Sequence, residues 1–166
     1  MVRKLAIVAV LVALAVALAA GAAWAKTIIG TDGPDLLRGT QEDDRLEGLK
    51  GPDGLYGFGG DDVILAGRGR DNPEGGPGND VVRGGPEDEK PMFGGYGADR
   101  VSGGGGDDDI GDGVVRDGDR DVLRGSPGND RIGANNTPPE PDTVACGPGR
   151  DQTWVDSEGG RRMPPS

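Results

Sequence analysis

Aspartate recurs at a fixed step in this chain: Asp35, Asp44, Asp53, Asp62, Asp71 and Asp80 stand nine residues apart. The series resumes at Asp99 and Asp108, at Asp121 and Asp130, and at Asp142 and Asp151. An ionised carboxylate accepts hydrogen bonds and donates none. Stacked at a fixed step, such groups repel one another by on the order of several kcal/mol unless a cation sits between them. Ca²⁺ suits that position, because it takes about 6–8 oxygens from carboxylates and backbone carbonyls in a flexible geometry. Aspartate outnumbers glutamate 22 to 7. A tight turn favours the shorter acid, whereas a need for solubility would not discriminate.

Other chemistry is excluded or weaker. Histidine is absent, which removes imidazole general bases, the Ser-His-Asp triad and zinc-protease motifs. The lone Cys146 can form neither an internal disulfide nor a CxxC site. Asp107-Asp108-Asp109 resembles an acid–base cluster, but Asp108 lies in the repeat phase, which favours metal ligation. Asp117-Gly118-Asp119-Arg120-Asp121 resembles the start of an EF-hand loop, yet Val122 and Gly128 stand where that loop needs Gly and Glu. Asn135-Asn136-Thr137 is a formal glycosylation sequon, read as a polar loop. Aromatic residues are too scattered for a base-stacking platform, and the acidic balance argues against nucleic acid.

The elements that must position the aspartates follow the same period. Five residues before the Asp stands Gly30, Gly39, Gly48, Gly57, Gly75, Gly94, Gly103 or Gly125. Two before it stands Gly33, Gly51, Gly60, Gly69, Gly78, Gly97, Gly106 or Gly128. Two after it stands an aliphatic: Leu37, Leu46, Leu55, Ile64, Val82, Val101, Ile110, Leu123, Ile132 or Val144. The glycines predict a tight turn, and the aliphatic predicts a minimal strand with one inward side chain. One such residue per unit cannot close a core alone, but stacked units can share one, which is solenoid logic.

Composition sets a condition on that fold. The chain has 166 residues, 34 of them Gly, and a net charge of −11. Residues 1–25 hold 22 of its 55 hydrophobic residues. Beyond them, Ile, Leu, Val and Phe make up only 23 of 141 residues, a proportion usual for disordered chains. The leader itself has Arg3 and Lys4, an apolar run from Leu5 to Ala20, and small residues flanking Trp24 at Ala23 and Ala25. It predicts a secretory signal cleaved before Lys26, with an uncleaved membrane anchor as the alternative.

The unit resembles the RTX, or hemolysin-type, calcium-binding nonapeptide repeat GGxGxDxUx, where U is a large aliphatic. Residues 75–83 (Gly-Gly-Pro-Gly-Asn-Asp-Val-Val-Arg) and 94–102 (Gly-Gly-Tyr-Gly-Ala-Asp-Arg-Val-Ser) match it in full. The resemblance implies an all-β fold, a right-handed parallel β-roll in which two repeats make one coil. Asp35, Asp53 and Asp71 would line one edge, and Asp44, Asp62 and Asp80 the other. Several Ca²⁺ ions would lie between turns two repeats apart. The implied ligands are Asp35, Asp44, Asp53, Asp62, Asp71, Asp80, Asp99, Asp108, Asp121 and Asp130, with backbone carbonyls of Gly51, Gly60, Gly69, Gly78, Gly97 and Gly106. Residues 141–151 resemble the last turn of small secreted actinobacterial members. Those often carry a second Cys shortly afterwards, but Asp156-Ser157-Glu158 follows here, so no terminal disulfide can form.

Departures from the pattern predict irregular coils. Glu42 replaces a turn Gly, Ala66 replaces another, and Pro73 takes a strand position, removing an aliphatic and a ladder donor. Residues 84–93 are ten long and lack the Asp, which predicts a bulged, metal-poor turn. Residues 111–120 interrupt again, with Asp117 in phase but without its glycines. The best sites are expected around Asp53, Asp62, Asp71, Asp80, Asp99 and Asp108. The expected organisation is a signal over 1–25, calcium-binding repeats over 26–132, degenerate terminal repeats over 133–156 and a disordered tail over 157–166. The expected function is a secreted, non-catalytic calcium-binding protein that folds on Ca²⁺ binding, with Cys146 an unpaired thiol in the last turn. The alternatives are a calcium-dependent surface or matrix adhesive with an unknown partner and, more distantly, a carboxylate-based hydrolase. No small-molecule substrate is evident.

Overall fold

A computed structural model describes residues 25–89, 91–113, 119–134 and 141–155. The leader up to residue 24, Asp117, the Asn135 sequon and the tail from residue 156 lie outside the described residues. Within them, each repeat forms one turn and one short strand. Strands β1 (Thr27–Ile29), β3 (Arg45–Glu47), β5 (Val63–Leu65), β7 (Val81–Arg83), β9 (Arg100–Ser102), β11 (Val122–Arg124) and β13 (Thr143–Ala145) pair in that order. The second sheet holds β2 (Leu36–Arg38), β4 (Gly54–Tyr56), β6 (Asn72–Pro77), β8 (Met92–Tyr96), β10 (Asp109–Gly113), β12 (Arg131–Ala134) and β14 (Gln152–Val155). Every pairing is parallel. Consecutive strands thus lie in opposite sheets and a coil takes two repeats, which is the right-handed parallel β-roll that the repeat predicted.

The strands are mostly three residues long, so only the middle side chain of each faces inward. In the odd sheet these residues form the register Ile28, Leu46, Ile64, Val82, Val101, Leu123 and Val144. Leu37, Leu55, Met92, Ile110 and Ile132 face them from the even sheet. All the aliphatics expected inside are buried, except Val144, which is partly buried. The result is a core one side chain thick.

Two expected irregularities resolve locally. Pro73 is buried opposite Leu55, so its ring fills the inward place of an aliphatic. The Asn72 N–H donates to the Asp53 carbonyl, and the Glu74 carbonyl accepts from the Gly57 N–H, both towards β4. Only the ladder to β8 meets the missing proline donor, and there pairing starts one residue later, at Glu74 and Phe93. In the ten-residue repeat 84–93 the roll continues, with Met92 inward and in register with Ile110.

The second position of the turn adopts left-handed backbone in most coils. Glycine meets this at Gly67 (φ 107°), Gly76 (φ 118°) and Gly95 (φ 127°). Leu49 (φ 76°), Phe58 (φ 81°) and Ser126 (φ 78°) occupy the same position with a side chain. Left-handed geometry costs an L-residue roughly 1–2 kcal/mol. The Leu49 and Phe58 side chains are exposed, so they recover little of that by burial. Phe58→Gly is therefore expected to raise the unfolding free energy by about 1 kcal/mol. Gly76→Leu should lower it by more, because a Cβ there would meet the Phe58 carbonyl. Denaturant titration of both variants under matched conditions checks the pair. A Phe58→Gly chain less stable than its parent contradicts the strain assignment.

Candidate metal sites

The turns gather the repeat acids into two rows, one along each edge of the roll. Along both rows, backbone N–H groups of the acids donate to Oδ1 of the Asp one coil later. Asp35 donates to Asp53 (2.8 Å), and Asp53 to Asp71 (2.8 Å). On the opposite edge Asp44 donates to Asp62 (2.7 Å), Asp62 to Asp80 (2.7 Å), Asp80 to Asp99 (2.7 Å) and Asp99 to Asp121 (2.8 Å). This is the alternation that the resemblance implied. The rows run on past the expected ligands, from Asp121 to Asp142 (3.0 Å) and from Asp108 through Asp130 to Asp151 (both 3.0 Å).

One member was not anticipated. Glu89 stands between Asp71 and Asp108 in the row, and its N–H donates to Asp108 Oδ1 (2.9 Å). It lies nine residues after Asp80, so the period contains the signal. An alignment on aspartate alone passes over it.

Asp44, Asp53, Asp62, Asp71, Asp80, Glu89, Asp99, Asp108, Asp121, Asp130 and Asp151 are each at most 4 % exposed. No lysine or arginine among the described residues is buried with them. Burying ionised carboxylates without compensating charge is strongly unfavourable. The second carboxylate oxygen sharpens the problem. Oδ2 of Asp53, Asp62, Asp71, Asp80, Asp130 and Asp151 is buried without a hydrogen-bond partner. Asp62 Oδ2 and the Gly75 carbonyl both lie within 3.0 Å of the point where a Cβ on Gly57 would stand. The same holds for Asp53 and the Ala66 carbonyl at Gly48, for Asp80 and the Gly94 carbonyl at Gly75, and for Asp130 and the Cys146 carbonyl at Gly125. Two acceptors thus share a space that contains no donor and that only a glycine leaves open. A hard cation fits these donors.

The first coil differs. Oδ2 of Asp35 accepts the Thr31 N–H, and Oδ2 of Asp44 accepts the Thr40 N–H. These two expected ligands end their rows with a backbone donor in the place that later turns leave to a cation. The expected carbonyl donors Gly51, Gly60, Gly69, Gly78, Gly97 and Gly106 all have positive φ. They stack on one another: a Cβ on Gly69 would meet the Gly51 carbonyl, one on Gly78 that of Gly60, and one on Gly97 that of Gly78. The carbonyls that share space with Oδ2 belong instead to the first residue of the turn.

No group of three or more His, Cys, Asp or Glu side chains converges among the described residues. A bound ion therefore depends on backbone carbonyls as well as on the acids. Outside the buried rows, Asp43, Asp61 and Asn79 form an exposed ladder of the opposite sense, in which each later N–H donates to the earlier side chain. Cys146 is a free, half-buried thiol packed against the core, and burial raises its pKa.

Burial pushes Asp62 up to about 6 and Asp80 up to about 7. It also raises Asp53, Asp71, Asp108 and Asp130. Hydrogen bonds from the coil before counter the rise, and neighbouring carboxylates add to it. Glu89 is raised furthest, by burial first and then by Asp108 beside it.

Comparison with protein families finds the RTX calcium-binding nonapeptide repeat at residues 27–53, 38–73, 74–88, 92–110 and 117–136, more than half of the chain. No curated protein and no solved structure matches it.

The raised values fix the sign of a pH effect on the metal-free chain. A folded carboxylic acid that binds its proton more tightly than the unfolded one carries no penalty below the ordinary range near 3.8. The penalty grows as pH rises through that value and towards about 7. In chelator, the chain is expected to show more β signal by circular dichroism at about pH 4.5 than at about pH 7.5. Equal or greater structure at the higher pH contradicts the assignment of buried, uncompensated acids.

Proposed function

The chain belongs to the family of RTX calcium-binding nonapeptide repeat proteins, and we propose that it is a secreted, non-catalytic β-roll whose folding is driven by calcium. The observation that carries this reading is the set of buried Oδ2 atoms facing backbone carbonyls with no donor between them. Asp53, Asp62, Asp71, Asp80, Asp108 and Asp130 would hold the ions together with carbonyls of the turns, and bound calcium would neutralise the rows. Without it, mutual repulsion acts on a roll whose core is one side chain thick, so the metal-free chain is largely unfolded at neutral pH.

The leader supports export, with residues 26–132 as the calcium-binding repeats and 133–156 as a degenerate terminal part. Calcium outside the cell, at around millimolar, matches extracellular modules with Kd of about 10⁻⁴–10⁻³ M. A non-catalytic role is supported by the buried acids, all of which lie in the two rows among the described residues. A second reading, a surface or matrix scaffold, is favoured by the outer face of the odd sheet. That face exposes Arg83, Arg100 and Arg124 on a chain of net charge −11. Capture of partners in calcium but not in chelator distinguishes the scaffold from a calcium-binding module alone.

Circular dichroism at neutral pH is expected to show a gain of β signal on calcium addition, and no gain at several millimolar calcium overturns the proposal. Gly57→Ala puts a methyl group into the space shared by Asp62 and Gly75. It is expected to raise the calcium midpoint by about tenfold or more. Calcium titration of both chains measures the shift.

A further inference from the structure

Residues 84–93 interrupt the repeat, and the family matches stop at residue 88 and resume at residue 92. Nothing in the pattern assigns an ion to this turn, and the lack of an aspartate in the repeat phase, where Glu89 stands, predicts a metal-poor coil. At the first position of the turn its geometry is that of its neighbours, although Gly85 at the second position lacks the positive φ of Gly67, Gly76 and Gly95. Glu89 is fully buried, and its Oε2 has no hydrogen-bond partner. Oε2 and the Gly103 carbonyl both lie within 3.0 Å of the point where a Cβ on Gly84 would stand. At Gly57 the same two places are taken by Asp62 Oδ2 and the Gly75 carbonyl. Oε1 accepts the Gly85 N–H (3.1 Å), as Asp35 and Asp44 accept the N–H of Thr31 and Thr40, but here the bond is made by the other oxygen and Oε2 stays unpartnered beside the Gly103 carbonyl. The Glu89 N–H makes the same bond to the coil after it as Asp35, Asp53, Asp108 and Asp130 make in the same row.

We infer that Glu89 is a calcium ligand, and that it carries the ion row of its edge unbroken from Asp71 to Asp108. The inference rests on the calcium-binding reading above and extends it to a repeat outside the consensus. The repeat is one residue longer than the regular unit and its acid one methylene longer. The two changes compensate: the acid stays in its row while the strand behind it enters one residue later, at Met92. The competing arrangement is a Glu89 that keeps its proton beside Asp108 and needs no ion.

Glutamine has the shape of a protonated glutamic acid, so E89Q separates the two. Bound calcium per full-length chain is counted by equilibrium dialysis at saturation for the wild type, E89Q and, on the opposite edge, D62N. E89Q is expected to fold in calcium with the wild-type circular dichroism and to bind at least one ion fewer. An unchanged count in E89Q with a lowered count in D62N overturns the role of Glu89 and leaves the calcium roll standing. A wild type that binds no calcium removes the calcium roll itself. Should E89Q not fold, anomalous scattering from wild-type crystals grown in calcium decides. A calcium peak on the Glu89 carboxylate supports the inference, and an ordered Glu89 without one overturns it.

Discussion

Each coil of the roll places a carboxylate where the adjoining coils close over it. One oxygen is held by a backbone N–H of the coil before, which makes the acid part of the stack's hydrogen bonding. The other is shut in beside a carbonyl. The acid cannot leave without breaking the contact between coils, and it cannot stay ionised cheaply without a cation. Stability and ion binding are therefore two descriptions of one interaction. This is why a chain so poor in large aliphatics can have an ordered state. The core aligns the strands, and under the calcium-coupled folding proposed above the deciding free energy sits at the edges.

The turn has to meet three demands at once. Its first residue is mostly glycine, because the carboxylate occupies the volume of a Cβ, as at Gly57, although Ala66 and Cys146 take the same position before Asp71 and Asp151. Its second adopts left-handed backbone, as at Gly76 and, with strain, at Phe58. Its fourth lies against the carbonyl of the same turn one coil earlier, as Gly78 does on Gly60. Glycine satisfies all three, which accounts for its abundance. Thr31 and Thr40 show the other outcome. Both stand at the second position without positive φ, and their N–H groups turn to Asp35 and Asp44.

The period made the turns, the short strands and the inward row legible in advance, because each depends on spacing alone, while the two sheets and the two acid rows came from the family resemblance. What the residues did not reveal depends on geometry between coils. Pro73 reads as a broken strand, yet a strand bonds to its two neighbours through alternate residues. The lost donor therefore faces only β8, where the ladder starts late. Glu89 keeps the phase, nine residues after Asp80, but changes the residue type that defines the pattern. The carbonyls that meet Oδ2 come from the first turn residue and not from Gly51 or Gly60, since no spacing rule says where a peptide plane points.

The two sheets are built from one unit, so the edges of the molecule are equivalent in kind. Coils normally advance by 18 residues, yet steps of 19, 22 and 21 also occur, and the surplus residues leave the acids in their rows. Length is thus tolerated within a turn. It is also tolerated in whole units: duplication or loss of nine residues would hand every later repeat to the opposite sheet and change none of its contacts in kind. The number of units therefore sets how long a rod results and not whether each coil can form.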